Sequence, residues 1–229
     1  RQGGLDMRHI GTKRLETDRL ILRRYTSEDA EDVYGNWATD REACRFWTWQ
    51  PHQSIAETQT LLAKWIAAYT DPDVYHWVME DRKSGQAIGY IYLADLREQD
   101  ESATVHYLVC RREWNRGLAT EACKAVLAFG FQELGLMYIH THHHADNPAS
   151  GRVMEKAGLR YLGTEQRRID GCERIGGAYR LYGCTKAEWA ERNGMTAGDR
   201  EPSRTGRDTE DDIAANAGPE GHACPEREA

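Results

Sequence analysis

The stretch from Val105 to Ala122 holds the residues whose types and spacing best suit chemistry. An apolar strand runs into the basic turn Arg111-Arg112-Glu113-Trp114-Asn115-Arg116-Gly117, and a helix-length segment follows. The first backbone N–H groups of a helix have no partner within it, and with the helix dipole they form a site for an anion. Gly117 carries no Cβ, so a ligand oxygen can approach the backbone there, and Ala119 keeps its neighbourhood small. Arg111, Arg112 and Arg116 add positive charge. A diphosphate-bearing ligand fits this arrangement. A solvated basic turn, with Gly117 only reversing the chain, fits it equally. Neither Gly-x-x-x-x-Gly-Lys-[Ser/Thr] nor Gly-x-Gly-x-x-Gly occurs, which argues against P-loop and dinucleotide-binding folds.

Three further groups carry polar or aromatic chemistry. Asn147-Pro148-Ala149-Ser150 has the composition of a turn and helix cap, the commoner role of such residues. In the run His140 to His144, strand alternation puts His140, His142 and His144 on one face, and a His-x-His pair does occur in zinc sites. Asp146 is the one nearby candidate to complete a ligand set, and no metal is expected. Trp47 and Trp49 precede a helix, where rings serve as core or staple residues or as the wall of a binding site.

The elements that must position these residues follow from periodicity. Leu20 to Arg23 has the pattern of a strand, and Thr26-Ser27-Glu28-Asp29 is a capping box that opens a helix toward Trp37. Ser54-Ile55-Ala56-Glu57 is a second box. Behind it Leu61, Leu62, Trp65, Ile66 and Tyr69 recur at the spacing of a buried helical face. Apolar runs at Tyr75 to Met79, Ala87 to Leu93 and Thr104 to Val109 are separated by short polar turns, as in an antiparallel meander. A helix from Leu118 to about Leu134 follows, then a strand Met137 to His142 and a helix Pro148 to Ala157 stopped at Gly158. Strands near Tyr161 to Glu165 and Ala178 to Tyr182 and a short helix Lys186 to Arg192 complete a mixed α/β sheet with helices on its faces.

Composition bounds the rest. The chain has 229 residues, 40% of them apolar and 29% charged, with a formal charge of -7, which disfavours nucleic acid as a direct partner. No apolar run approaches the roughly 20 residues of a spanning helix, and no charged-then-apolar leader opens the chain, so no membrane partner is expected. Six scattered cysteines without a Cys-x-x-Cys pair suit a reduced, cytoplasmic protein. Residues 1–12 lack periodicity and are expected to form a flexible extension to a single domain over 13–195. Residues 196–229 are acidic, poor in large aliphatic residues and expected to be a disordered tail.

Trp114-Asn115-Arg116-Gly117-Leu118-Ala119-Thr120-Glu121-Ala122, followed by Asn147-Pro148-Ala149-Ser150-Gly151-Arg152-Val153-Met154-Glu155-Lys156-Ala157-Gly158, closely resembles the GNAT acyltransferase superfamily. More narrowly it resembles the branch that includes the Rim-type ribosomal-protein N-terminal acetyltransferases. The resemblance runs from Leu15-Glu16-Thr17-Asp18-Arg19-Leu20 to Tyr182-Gly183-Cys184-Thr185-Lys186-Ala187-Glu188-Trp189. It implies a mostly antiparallel mixed sheet splayed between its fourth and fifth strands, with acetyl-CoA as co-substrate. It further implies that the backbone of Trp114, Asn115, Arg116, Gly117, Leu118, Ala119 and Thr120 wraps the pyrophosphate, that Asn147 bonds the pantetheine arm, and that Ser150 lies near the sulfur as general acid. A strand amide near Leu108 or Val109 would meet the oxyanion, and Trp47 and Trp49 would border the acceptor.

The sequence departs from the family at three places, the first being Trp114, where a Gln or Arg often begins the motif. Asn115 stands where a glycine is usual, and Asn tolerates positive φ better than most residues. In Thr104-Val105-His106-Tyr107 a threonine replaces the usual glutamate and a histidine the glycine, which leaves His106 as a candidate base or as a half-buried strand residue. The implied reaction is acetylation of a primary amine. An α-amine of a ribosomal or other protein N-terminus, with a reference pKa of about 7.7 to 8.0, asks less of a base than a lysine at about 10.4. A small-molecule amine is the alternative acceptor, a non-catalytic acyl-CoA binder is the alternative class, and a homodimer is compatible with the sequence.

Overall fold

The computed structural model describes residues 7–169, 172 and 175–195. The strands are β1 (Leu15–Glu16), β2 (Leu20–Arg23), β3 (Tyr75–Asp81), β4 (Ala87–Arg97), β5 (Ser102–Val109), β6 (Tyr138–His144), β7 (Arg160–Arg167) and β8 (Gly177–Thr185). They form one sheet in the order β1-β2-β3-β4-β5-β6-β8-β7. Every pairing is antiparallel except β5 with β6, which is parallel and short: Ser102 faces Tyr138, Ala103 faces Ile139 and Thr104 faces His140. Beyond that the two strands diverge, with Thr141 Oγ1 donating to Val105 O at 2.6 Å across the start of the gap. The expected splay is therefore present. It lies between the fifth and sixth strands, because the two-residue β1 adds one strand at the edge.

The helices are α1 (Ala30–Val33), α2 (Ile55–Ala68), α3 (Leu118–Phe129), α4 (Pro148–Ala157) and α5 (Lys186–Arg192). Local chemistry sets their ends. Thr26 N donates to Asp29 Oδ2 at 2.8 Å in the first box, Ser54 caps Glu57 N, and Gly158 at φ +107 closes α4. The helix expected from Leu118 to Leu134 leaves α geometry after Phe129 and ends in a wider turn, Gly130–Leu134. Side chains alternate across the strands, so the two faces bury different partners. Trp77 packs edge-on against Phe129 of α3, whereas Tyr90 lies against Trp65 of α2.

Residues 7–12 correct the expectation of a flexible extension reaching residue 12. Met7 is buried, Arg8 N donates to Leu134 O, Gly11 N donates to Pro72 O and Thr12 Oγ1 donates to Val74 O. Long-range backbone pairing holds the segment without any local periodicity. Residues 1–6 and the expected acidic tail lie outside the described residues. The five cysteines among the described residues are buried, and no described helix is long and apolar enough to cross a membrane.

Candidate functional site

The turn after β5 has the geometry an anion cradle requires. Cys110 leads into a single 3-10 turn at Arg111–Glu113, Asn115 sits at φ +60, and Gly117 at φ +79 stands immediately before α3 with no side-chain cap. Positive φ at Asn115 is the conformation that glycine usually supplies, and Asn is among the residues that tolerate it. Trp114, Asn115, Arg116 and Gly117 are exposed, while Leu118 points into the core and leaves only its backbone at the turn. Ala119 and Thr120 are half-buried. The arginines are less available than the sequence suggests. Arg116 pairs with Glu113, Arg112 lies 3.7 Å from Glu113 and bonds Gln86, and Arg111 reaches Asp40 at 3.1 Å. Three cations against two carboxylates leave the backbone dipoles as the main attraction for an anion.

A brace that the sequence reading missed holds this turn. Glu121, in the first turn of α3, accepts from Thr17 Oγ1 at 2.6 Å, Arg19 N at 2.8 Å and Arg19 Nε at 2.7 Å. Arg19 Nη1 then donates to Arg116 O at 2.8 Å, so one carbonyl of the turn is tied down beside Asn115 and Gly117. Hydrogen bonds to Thr17 and Arg19, with the Arg19 charge, outweigh burial and hold the Glu121 carboxyl below its usual range. Partners 102 residues apart leave no local signal, although Thr17 and Arg19 lie in a stretch that the family resemblance covers.

The end of β5 resolves which amide faces the gap. Cys110 N donates to Ile88 O, and the register pairs Tyr90 with Leu108 and Gly89 with Val109. Alternation of hydrogen-bonded pairs then turns the Leu108 amide toward β4 and the Val109 amide toward the gap. Leu108 is thereby removed as an oxyanion donor, and Val109 is retained. Gly89 marks the close approach, since a Cβ there would lie 2.1 Å from Leu108 O. Val109 O, on the gap side, accepts from the Trp114 indole at 2.7 Å.

The catalytic candidates flank the gap on opposite faces. On the α3 and α4 face, Asn147 caps α4 by accepting from Ser150 N at 3.4 Å, and Tyr107 OH donates to Ser150 O at 3.0 Å. Gly151 is required beside Ser150, because a Cβ would lie 2.7 Å from His143 Nε2. On the other face, His106 is stacked on Tyr92 at 5.0 Å and lies edge-on to His142 at 5.4 Å and to Trp47 at 6.3 Å. Burial, with smaller contributions from His140 and Arg167, pushes the His106 imidazole down to about 4, so it is neutral at pH 7. Trp49 bonds the Tyr90 hydroxyl and lies 5.9 Å from His52, which places it behind Trp47.

The remaining histidines have structural partners. His140 is stacked on Tyr138 and bonds Thr104 Oγ1, His142 packs between His106 and Tyr179, and His144 packs between Phe46 and Tyr179. Among the described residues, no three His, Cys, Asp or Glu side chains converge as a metal site.

The acetyltransferase (GNAT) domain family matches residues 19–160. An uncharacterised N-acetyltransferase of Bacillus subtilis, YoaA, is 32% identical over 149 residues, which cover 65% of this chain and 84% of that protein. Among solved structures, the ribosomal-protein-S5-alanine acetyltransferase from Vibrio fischeri superposes with a TM-score of 0.65 at 16% identity, over 77% of this chain and 98% of that one. A spermidine N-acetyltransferase SpeG chimera from Vibrio cholerae and hSSAT gives 0.63 at 19% identity, over 76% of this chain and 100% of that one. The acceptors named for these two folds differ, so the fold alone leaves the acceptor open.

Proposed function

The chain belongs to the GNAT acetyltransferase family and is an acyltransferase, and from that premise we propose that it carries acetyl from acetyl-CoA to the α-amine of a protein or peptide N-terminus. The observation that carries this reading is the parted pair of strands, with the Val109 amide turned into the gap and a neutral imidazole, His106, at its mouth. Backbone N–H groups from Trp114 to Thr120 would hold the pyrophosphate, and the Asn147 side-chain amide would donate to the pantetheine arm. The acceptor nitrogen attacks the thioester carbonyl from the His106 face. The developing oxyanion takes the Val109 N–H, and His106 Nε2 or Nδ1 removes the proton that the new ammonium must lose. Collapse breaks the C–S bond, Ser150 Oγ protonates the departing thiolate, and the proton held by His106 returns through solvent to the Ser150 oxygen.

The acceptor follows from how little base it needs. A lysine ammonium near 10.4 is almost wholly protonated at neutral pH, whereas an α-amine near 7.7 to 8.0 is already partly neutral. Scattered cysteines without a Cys-x-x-Cys pair suit a reducing compartment, and the cytoplasm is the proposed one. Free-thiol release from acetyl-CoA across a panel of peptide N-termini and small amines, with the product mass checked for one added acetyl group, tests the proposal. Turnover confined to small amines other than α-amines would replace the acceptor. Tight binding of acetyl-CoA with no turnover on any amine would replace the enzyme with an acyl-CoA binder.

A further inference from the structure

The face of the sheet that carries His106 is walled by rings rather than by charge. Trp47 lies 6.4 Å from Tyr92 and 6.3 Å from His106, His106 lies 5.4 Å from His142, and His142 lies 5.5 Å from Tyr179. Four of these rings, Trp47, Tyr92, His106 and His142, are half-buried and form one continuous wall, in which Tyr92 is stacked between Tyr90 at 6.1 Å and His106. Strand pairing puts them on the same face. Tyr92 is opposite His106, and His144 is opposite Tyr179, which is opposite Glu165. At the far end the Arg167 guanidinium lies 5.2 Å over the Tyr179 ring, with Glu165 bound to its Nε, and its charge is felt at both His106 and His142. Among the described residues, two carboxylates reach the wall. Glu165 is engaged by Arg167, and Asp95 stands at the rim beyond Tyr92, where the β4–β5 register shifts.

A wall of rings favours a flat ring, and the guanidinium N–H groups of Arg167 other than the Nε bound to Glu165 suit a carbonyl or carboxylate. A polyamine, which needs a row of carboxylates, finds no such row among the described residues of this wall. Resting on the α-amine reading above, we propose that the acceptor is an aromatic aminoacyl group. Its α-amine lies at His106, its ring packs against Trp47, and the carbonyl or carboxylate beside the amine faces Arg167. A free aromatic amino acid and a peptide beginning with one share this chemistry.

The test uses the full chain with acetyl-CoA and four acceptors: a Phe-initiated peptide, the Ala-initiated peptide of otherwise identical sequence, free phenylalanine, and spermidine. Thiol release should give a kcat/KM for the Phe-initiated peptide or for phenylalanine about ten-fold or more above that of the Ala-initiated peptide, as one lost aromatic contact implies. Spermidine should stay near background. Trp47→Ala should bring the Phe-to-Ala ratio toward one by raising KM for the aromatic acceptor, with acetyl-CoA affinity by calorimetry retained as the check on folding. Trp47→Phe should keep the preference. Arg167→Gln should raise KM for phenylalanine more than for the peptide if the free amino acid is the source, and for both equally if the peptide is. Equal rates on the two peptides, or a preference for spermidine, with acetyl-CoA bound and consumed, would overturn the aromatic acceptor alone. Absence of acetyl-CoA binding would overturn both this inference and the reading beneath it.

Discussion

Replacing Glu121 by Ala tests whether the brace beneath the pyrophosphate turn matters to both stability and binding. The carboxylate accepts three hydrogen bonds, from Thr17 Oγ1, Arg19 N and Arg19 Nε, and sits in the first turn of α3, where negative charge is favourable. Thr17 keeps an alternative acceptor in Leu20 O, and Arg19 is about half exposed and can turn to water. The loss is therefore well below three full charged hydrogen bonds, and about 2–3 kcal/mol is expected, which lowers Tm by roughly 4–12 °C for a domain of this size. Freed Arg19 no longer fixes Arg116 O, and ordering one turn residue on binding then costs about 1–2 kcal/mol, or roughly 5–30-fold in the acetyl-CoA Kd. The pH dependence has a definite sign. The folded carboxyl lies below its ordinary value of 4.5, so its stabilisation is complete above that pH and is lost as the pH falls through the lowered value. Thermal melts of wild type and variant should thus converge on acidification, while calorimetry near pH 7.5 reports the weakened Kd. A variant with the lowered Tm but an unchanged Kd would refute the claim that Arg19 orders the turn.

His106→Asn should lower kcat about 100-fold with little change in the acetyl-CoA KM, and an unchanged kcat would remove the imidazole from the mechanism. Gly117→Ala should cost about 1–2 kcal/mol from its positive φ alone, because a Cβ there meets only the Arg19 guanidinium at an ordinary 3.5 Å; a urea titration measures it, and a larger loss would mean a clash. Burial holds His76 at about 3 and His106 at about 4, so the unfolded chain binds more protons as the pH falls from about 6.5 toward those values. Stability by urea denaturation should decline across that window, and the double variant His76→Phe, His106→Asn should flatten the decline.

Elements with local punctuation were legible in the sequence, and contacts between distant segments were not. Pro148 to Ala157 and Lys186 to Arg192 have the bounds that their caps and breakers predict, since Asn147, Gly158 and Thr185 act within one turn. The positive φ at Asn115 was foreseeable from residue type, and the strand split from the family resemblance. By contrast, the attachment of Gly11 to Pro72 and the Arg19–Glu121 brace depend on chain reversals that bring unrelated stretches together. Two of the three arginines of the turn, Arg111 and Arg112, looked like free charge because their partners Asp40 and Gln86 come from elsewhere in the chain. Choosing between Leu108 and Val109 needed the β4 register, which no periodicity encodes.

The bond from Thr141 to Val105 O acts on the sheet as a rivet acts at the tip of a tear. Any wedge pushed between β5 and β6 loads the seam where the ladder ends, and the hydroxyl occupies the first carbonyl that an advancing rip would expose. Behind it Ala103 and Ile139 are sealed from water at 0% exposure. Opening force is thus turned outward toward His106 and Val109 instead of backward into the apolar interior, so the fold can be prised apart at one end and stay watertight at the other.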